Sequence, residues 1–199
     1  MNKRGNFPIA RKAAWALATV LLAVSCGNDI EFTYSDYHCN LTIDNGTHQD
    51  ATLASAMSEL SPGVFCTVRT VYKNGANFYT FDNNQGLSSE KRFTAIDIRL
   101  ENHRRVGQNQ GLVIGFGNVG SPVSFHAYDL QCPNCFNPNA YPVLSHELSV
   151  SQTGIATCRN CKRSYNMNTG GNIVGGDKGK QLISYRAATN GPFGILQVY

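Results

Sequence analysis

The chain has 199 residues, 42% of them hydrophobic and 15% charged, with 19 glycines. That length fits one domain plus an export segment, and the turn-rich, weakly charged composition excludes a coiled coil or a disordered chain and favours an all-β fold. The formal net charge of +4 belongs to the N-terminal segment: residues 1–26 hold four Lys/Arg and no acid, so the remainder balances 13 bases against 13 acids, and no nucleic-acid partner is expected.

Lys3, Arg4, Arg11 and Lys12 form a basic start, and residues 13–25 form an apolar stretch too short for a membrane span. That pairing is the pattern of an export signal. It ends in Leu22-Ala23-Val24-Ser25-Cys26. Small residues before a cysteine resemble a bacterial lipobox, with Ala23 standing where Leu is usual. The resemblance implies lipidation of Cys26, a lipid anchor in the membrane, and a place on the cell envelope. The alternative is a plain signal peptide cleaved nearby. Residues 27–31 then form a short polar tether, and residues 32–199 form the domain.

Within residues 32–43, Phe32, Tyr34, Leu41 and Ile43 favour strand, and Asn45-Gly46 marks a turn. Residues 50–60 make the one helix expected. Asp50 suits the N-cap, Leu53, Ala56, Met57 and Leu60 follow the i, i+3, i+4, i+7 pattern, and Ser61-Pro62-Gly63 ends it. Residues 64–72 and 77–81 read as strands joined through Lys73-Asn74-Gly75-Ala76, where Asn-Gly signals a hairpin. Residues 93–100 also read as a strand, with Thr94, Ile96, Ile98 and Leu100 on its core face. Strands follow at 112–116 and 123–130. Gly115-Phe116-Gly117-Asn118-Val119-Gly120 matches the dinucleotide fingerprint, yet Ser121-Pro122 and another strand follow it. The fingerprint needs a helix there to receive the pyrophosphate, so this stretch reads as a Gly-rich turn.

The strongest chemical signal comes next. Cys132-Pro133-Asn134-Cys135 and Cys158-Arg159-Asn160-Cys161 are two Cys-x-x-Cys knuckles separated by 22 residues. Thiolates at i and i+3 on a tight turn grip one metal, and a second knuckle completes a tetrahedral shell. Residues 147–150 and 155–157 flank Ser151-Gln152-Thr153-Gly154, a hairpin between the knuckles, and strands at 182–187 and 194–198 close the chain. Four cysteinates suit zinc first, and also a single iron or a [2Fe-2S] cluster. Arg159, Lys162 and Arg163 either offset the charge of such a site or form an ordinary solvated turn. Two disulfides are the rival state in an oxidising space.

Cys39 and Cys66 remain, either as a disulfide or as two buried thiols. His126 and His146 flank the first knuckle but read as a strand and a loop histidine, because four cysteines already fill the shell. His38, His48 and His103 have no ligand spacing, and Asp97 and Glu101 have no evident partner. No Ser-His-Asp order, carboxylate pair or P-loop stands out, so no catalytic residue is assigned and the chain is not expected to be an enzyme. The loop of residues 137–143, with Pro138, Tyr141 and Pro142, is the surface best suited to a protein partner.

After Cys161 the chain runs Lys162-Arg163-Ser164-Tyr165-Asn166-Met167-Asn168-Thr169-Gly170-Gly171-Asn172-Ile173-Val174-Gly175-Gly176, and later reaches Leu182, Tyr185, Gly194, Ile195 and Val198. This resembles the C-terminal half of a Rieske domain. That family follows its second ligand pair with a Gly-Ser turn, an aromatic residue, a Thr-Gly turn, a Gly-Pro-Ala loop, then Leu, Tyr and a closing strand. Tyr165, Thr169, Gly170, Gly175, Leu182 and Tyr185 fall at matching positions. Phe125-His126-Ala127-Tyr128-Asp129 before Cys132-Pro133 resembles the family's strand into its first ligand loop. The resemblance covers residues 64–199, most strongly 123–198. It implies an all-β, Rieske-like antiparallel β-sandwich with a zinc-ribbon-like metal subdomain over residues 130–176. The ligands depart from the family, which uses Cys-x-His and Cys-x-x-His. Asn134 stands at the first His position and Cys161 at the second, so the resemblance implies the fold but not the Rieske cofactor.

Overall fold

The computed structural model describes Tyr34 and residues 37–199. The export signal of residues 1–26 with its Cys26, the tether of residues 27–31, and Phe32 lie outside the described residues. In chain order the domain begins with strand β1 (Leu41–Asp44) and two short helices, α1 (Asn45–His48) and α2 (Ala51–Ala56). Strands β2 (Phe65–Lys73), β3 (Ala76–Asn83) and β4 (Ser88–Arg92) follow, then helix α3 (Ala95–Leu100), β5 (Gly111–Phe116) and β6 (Phe125–Asp129). The knuckles are set among β7 (Leu148–Val150), β8 (Ile155–Cys158), β9 (Ser164–Asn166) and β10 (Asn172–Gly175). The chain ends with β11 (Ser184–Tyr185), β12 (Ala187–Thr189) and β13 (Ile195–Val198).

These strands form three antiparallel sheets, ordered β11-β6-β5-β2-β3-β4, β1-β13-β12 and β10-β9-β8-β7. The largest is covered on both faces at its centre. One face packs against the β1-β13-β12 sheet and α2, burying Val68, Phe81, Leu112 and Ile114 with Leu41, Ile43, Leu53, Leu196 and Val198. The other face packs against the four-stranded sheet, burying Phe65, Val113, Tyr128 and Leu130 with Cys132, Cys158, Tyr165 and Met167. Successive residues of a strand point to opposite faces, so β5 serves both cores and all six of its residues are buried.

The Gly-rich stretch after β5 has a packing role. A Cβ on Gly115 would lie 2.3 Å from the Val64 carbonyl oxygen, and one on Gly117 would lie 2.6 Å from that of Asn168. The stretch joins two antiparallel neighbours, β5 and β6. It therefore lets backbones approach, and no helix opens there to meet a phosphate.

Four local expectations are corrected. Residues 93–100 do not form a strand. The polar run of β4 takes the sheet edge, where Glu90, Lys91 and Arg92 disfavour further pairing, and residues 95–100 form α3. A reciprocal capping box decides this: the Thr94 hydroxyl accepts from the Asp97 N–H at 3.3 Å, and the Asp97 carboxylate accepts from the Thr94 N–H at 2.7 Å. The helix at 50–60 is shorter than its apolar pattern, covering Ala51–Ala56 with Asp50 as N-cap and Leu60 94% exposed. The Asn45-Gly46 turn is a full helical turn capped by Asp44, so among the described residues three short α-helices stand where one was expected. Among the described residues of 32–43, strand is confined to Leu41–Ile43, continuing to Asp44.

Candidate metal centre

Each knuckle is a tight turn at a strand end. After β6 the chain makes the first, where the Cys132 carbonyl accepts from the Cys135 and Phe136 N–H groups at 3.1 and 2.9 Å. The Cys132 N–H itself donates to the His146 carbonyl at 2.9 Å, which ties this turn to the approach to β7. The second lies between β8 and β9. There the Cys158 carbonyl accepts from Lys162 at 3.0 Å, and Lys162 adopts the left-handed conformation with φ 61°. Pairing of β8 with both β7 and β9 holds the two turns face to face.

The four predicted ligands converge. Cys132 and Cys158 are buried, while Cys135 and Cys161 are half-buried. Cys132 Sγ lies 3.6 Å from Cys161 Sγ, Cys158 Sγ lies 3.8 Å from Cys135 Sγ, and all four sulfurs lie within 4.8 Å of one another. Thiolates about 2.3 Å from one tetrahedral ion sit about 3.8 Å apart, so the quartet has the spacing of a single-ion shell. Disulfides require sulfurs about 2.05 Å apart, which these are not.

A layer of donors surrounds the sulfurs. Asn134 Nδ2 donates to the Tyr165 hydroxyl at 2.9 Å, leaving the phenolic proton free for Cys132 Sγ at 3.4 Å. Asn160 Nδ2 donates to Cys135 Sγ at 3.3 Å. Burial works against a thiolate at Cys161, but hydrogen bonds from the Arg163 backbone and side chain outweigh it and hold the thiol down to about 6. Burial pushes Cys132 up to about 12 and raises Cys135 as well. Among the flanking cations, Arg159 and Lys162 are exposed, while the Arg163 side chain hydrogen-bonds the Cys161 sulfur.

The loop of residues 176–182 straps this layer down. Asn134 is clasped by Lys180, donating to its carbonyl at 2.7 Å and accepting from its N–H at 2.9 Å. Arg163 donates to the carbonyls of Asp177 and Lys178, both at 3.0 Å. Gly179 is required at the crossing, because a Cβ there would lie 2.4 Å from Asn134 Oδ1. Sequence reasoning noticed Asn134 only as the residue standing in a histidine's place. Nothing in local spacing announced its partner 46 residues away.

His126 is half-buried, its ring stacked on Tyr128 at 5.6 Å between centroids, and burial lowers its pKa. His146 contributes backbone groups: its carbonyl meets Cys132, and its N–H donates to Gln131 Oε1 at 2.6 Å. Neither histidine belongs to the sulfur cluster. The Cys39–Cys66 disulfide is not formed. Both are buried free thiols, with Cys39 Sγ donating to the Arg105 carbonyl at 3.1 Å and Cys66 Sγ directed at the Thr67 carbonyl at 3.5 Å. Burial raises both thiols, Cys39 to about 11, so they are packing residues and not nucleophiles.

A second polar cluster escaped the sequence reading. Asp97 and His48, which have no partner in sequence spacing, form a buried pair with Nε2 3.0 Å from Oδ2. The Tyr79 hydroxyl donates to Asp97 Oδ1 at 3.1 Å, and the Thr94 hydroxyl to Oδ2 at 2.6 Å. Arg104 covers the cluster, its guanidinium 4.3 Å from the Phe93 ring centroid and its Nη2 donating to the Asp97 carbonyl at 2.6 Å. Both side chains of the pair are 4% exposed, so this is a structural pin under α3 and not a site open to substrate. The chain matches no family model, no curated protein and no solved structure.

Proposed function

We propose that the protein is a non-catalytic lipoprotein of the bacterial cell envelope, anchored through Cys26, whose Rieske-like domain holds one structural zinc ion on Cys132, Cys135, Cys158 and Cys161. The observation that carries the metal is the sulfur quartet, with separations of 3.6 and 3.8 Å inside a spread of 4.8 Å. A [2Fe-2S] core divides its thiolates between two irons and needs a wider quartet, so one ion suits these residues better. Four protein ligands leave no open coordination position for a substrate, which makes the site a fold-holding one. A zinc ion with four thiolates carries charge −2, and Tyr165, Asn160 and Arg163 are the groups that would offset it.

Two observations support the Rieske-like assignment. An antiparallel body carries an inserted four-stranded sheet, with one ligand pair in its β8–β9 turn and the other in the turn that follows β6 and leads toward β7. Asn134, at the family's first histidine position, uses its hydrogen bonds on Tyr165 and Lys180, as a site that dispenses with that histidine would. The anchor and the envelope location rest on the Leu22-to-Cys26 lipobox.

A second reading is an electron carrier with iron on the same cysteines. It is favoured by the partial exposure of Cys135 and Cys161, which gives the site an edge toward solvent. Elemental mass spectrometry on protein purified without added metal, with free thiols counted on the same sample, decides between them. One zinc per chain is the expected result. One iron with visible colour would replace the structural role by the redox one. No metal and four unreactive cysteines would mean two disulfides and overturn both.

A further inference from the structure

The strap over the sulfur cluster hangs from the two knuckles. Its ends are fixed separately: Gly175 pairs with Ser164 in the β9–β10 ladder, and buried Leu182 donates its N–H to the Gly171 carbonyl at 2.9 Å. Between those ends residues 177–180 are exposed. Among the described residues, the hydrogen bonds of residues 177–180 go to Asn134 and Arg163 alone. Asn134 belongs to the first knuckle. Arg163 follows the second, where its carbonyl accepts from the Cys158 N–H at 3.0 Å.

These two residues also face the sulfurs. The Asn134 amide divides its N–H groups between the Lys180 carbonyl at 2.7 Å and the Tyr165 hydroxyl at 2.9 Å, and that hydroxyl lies 3.4 Å from Cys132 Sγ. The Arg163 guanidinium meets the Asp177 and Lys178 carbonyls, both at 3.0 Å, and the Cys161 sulfur. The two lines of contact end on neighbours, since Cys132 Sγ and Cys161 Sγ are 3.6 Å apart. Gly179 sits against both lines at once: a Cβ there would lie 2.4 Å from Asn134 Oδ1 and 3.1 Å from Arg163 Nε. Groups that orient metal-binding side chains from one layer out change metal affinity by about 10–100-fold. A segment held by a few exposed hydrogen bonds opens far more readily than the core it lies on.

We propose that the strap of residues 176–182 is a gate for metal exchange. Closed, it aims two positioning residues, Asn134 at Cys132 through Tyr165 and Arg163 at Cys161 directly. Open, it frees both, and this pair of sulfurs loses the donors that hold it in place. Loss of the ion is then set by local opening of the strap and not by unfolding of the four-stranded sheet. The gate rests on the four-cysteine metal reading above. The strap's grip on the two sulfurs does not.

The test changes the strap of the full-length protein and leaves every sulfur-facing side chain in place. Lys180→Pro deletes the N–H that Asn134 Oδ1 accepts, whereas Lys180→Ala keeps it. Gly179→Ala sets a methyl group between Asn134 and Arg163. Metal per chain is counted by elemental mass spectrometry, transfer to the chromogenic chelator pyridylazoresorcinol is timed, and hydrogen exchange is followed on the same samples. Expected is transfer faster by about tenfold or more in Lys180→Pro and Gly179→Ala, and unchanged in Lys180→Ala. Protection of β2, β3 and β5 should be equal in all of them. Unchanged transfer in Lys180→Pro and Gly179→Ala overturns the gate and leaves the metal reading standing. Faster transfer with matching loss of protection in β2, β3 and β5 is general unfolding and also overturns it. An unaltered chain without metal overturns the metal reading and the gate together. In that case faster alkylation of reduced Cys132 and Cys161 in Lys180→Pro than in Lys180→Ala would uphold the strap's grip on the sulfurs, and equal alkylation would remove it.

Discussion

At the residue scale, Asp97 shows how a buried charge is kept. Burial opposes its ionisation, but hydrogen bonds from His48 and from the Thr94 side chain and backbone outweigh that cost and hold its carboxyl at about 2. The folded value lies below the ordinary 3.8, so this residue's contribution is present in full above about pH 4 and fades as pH falls toward about 2; the difference corresponds to about 2 kcal/mol. Asp97→Asn should therefore lower stability at neutral pH and flatten the acid limb between those values. Urea unfolding at a series of pH values checks this, and a variant with an unchanged acid limb would mean that the pair contributes nothing. The sequence carried half of the explanation: Thr94-x-x-Asp97 is a capping-box signature in plain view. The other half, His48, lies 49 residues away, and only the packing of α1 beside β3 and α3 brings it there. Asn134 is the same case beside the four cysteines, visible in sequence between Cys132 and Cys135 and understood only through its hydrogen bonds to Lys180.

At the element scale, the misread segment and the discounted motif have one explanation. Ile96, Ile98 and Leu100 alternate like a strand, and a period of two is the usual mark of one buried face. Here none of the three is buried, so the pattern that normally reports burial carried no information about it, and the local cap decided the element. The Gly115-to-Gly120 motif errs in the opposite direction, looking like a ligand site when its glycines serve strand packing. Gly115→Ala drives a Cβ to 2.3 Å from the Val64 carbonyl and 2.8 Å from the Phe65 ring. Backbone cannot yield cheaply, so a loss on the order of 3 kcal/mol is expected, read as a lowered urea midpoint. A normally stable Gly115→Ala protein would refute this packing role.

At the scale of the whole molecule, two cores share one central sheet, and only one of them contains the sulfur cluster. Cys132 and Cys158 are packed with Phe65, Tyr128, Leu130 and Tyr165, while the other core is built from β1, β13, α2 and the opposite face of the large sheet. Metal binding and folding are coupled wherever the ligands come from separate turns. On the zinc reading proposed above, chelation should therefore loosen β7–β10 first. Hydrogen exchange followed by mass spectrometry is expected to show lost protection in residues 148–175 while β3 and β13 stay protected; uniform loss, or none, would contradict this division. Much of the layout was legible beforehand. Two Cys-x-x-Cys turns, a hairpin between them, the Asn74-Gly75 hairpin and the β-rich composition are local signals, because turn chemistry and ligand spacing act over a few residues. By itself, then, the sequence determined the antiparallel β character, the four-cysteine cluster and the strands β6, β7 and β8 beside it, but not β9 or β10. Only the tertiary structure decided which face of each strand is buried, that Cys39 and Cys66 stay apart as thiols, that loop 176–182 clasps the site, and that Ile96, Ile98 and Leu100 of α3 stay exposed. These depend on contacts between residues tens of positions apart, where the free energy of packing and of satisfying buried polar groups overrides local pattern.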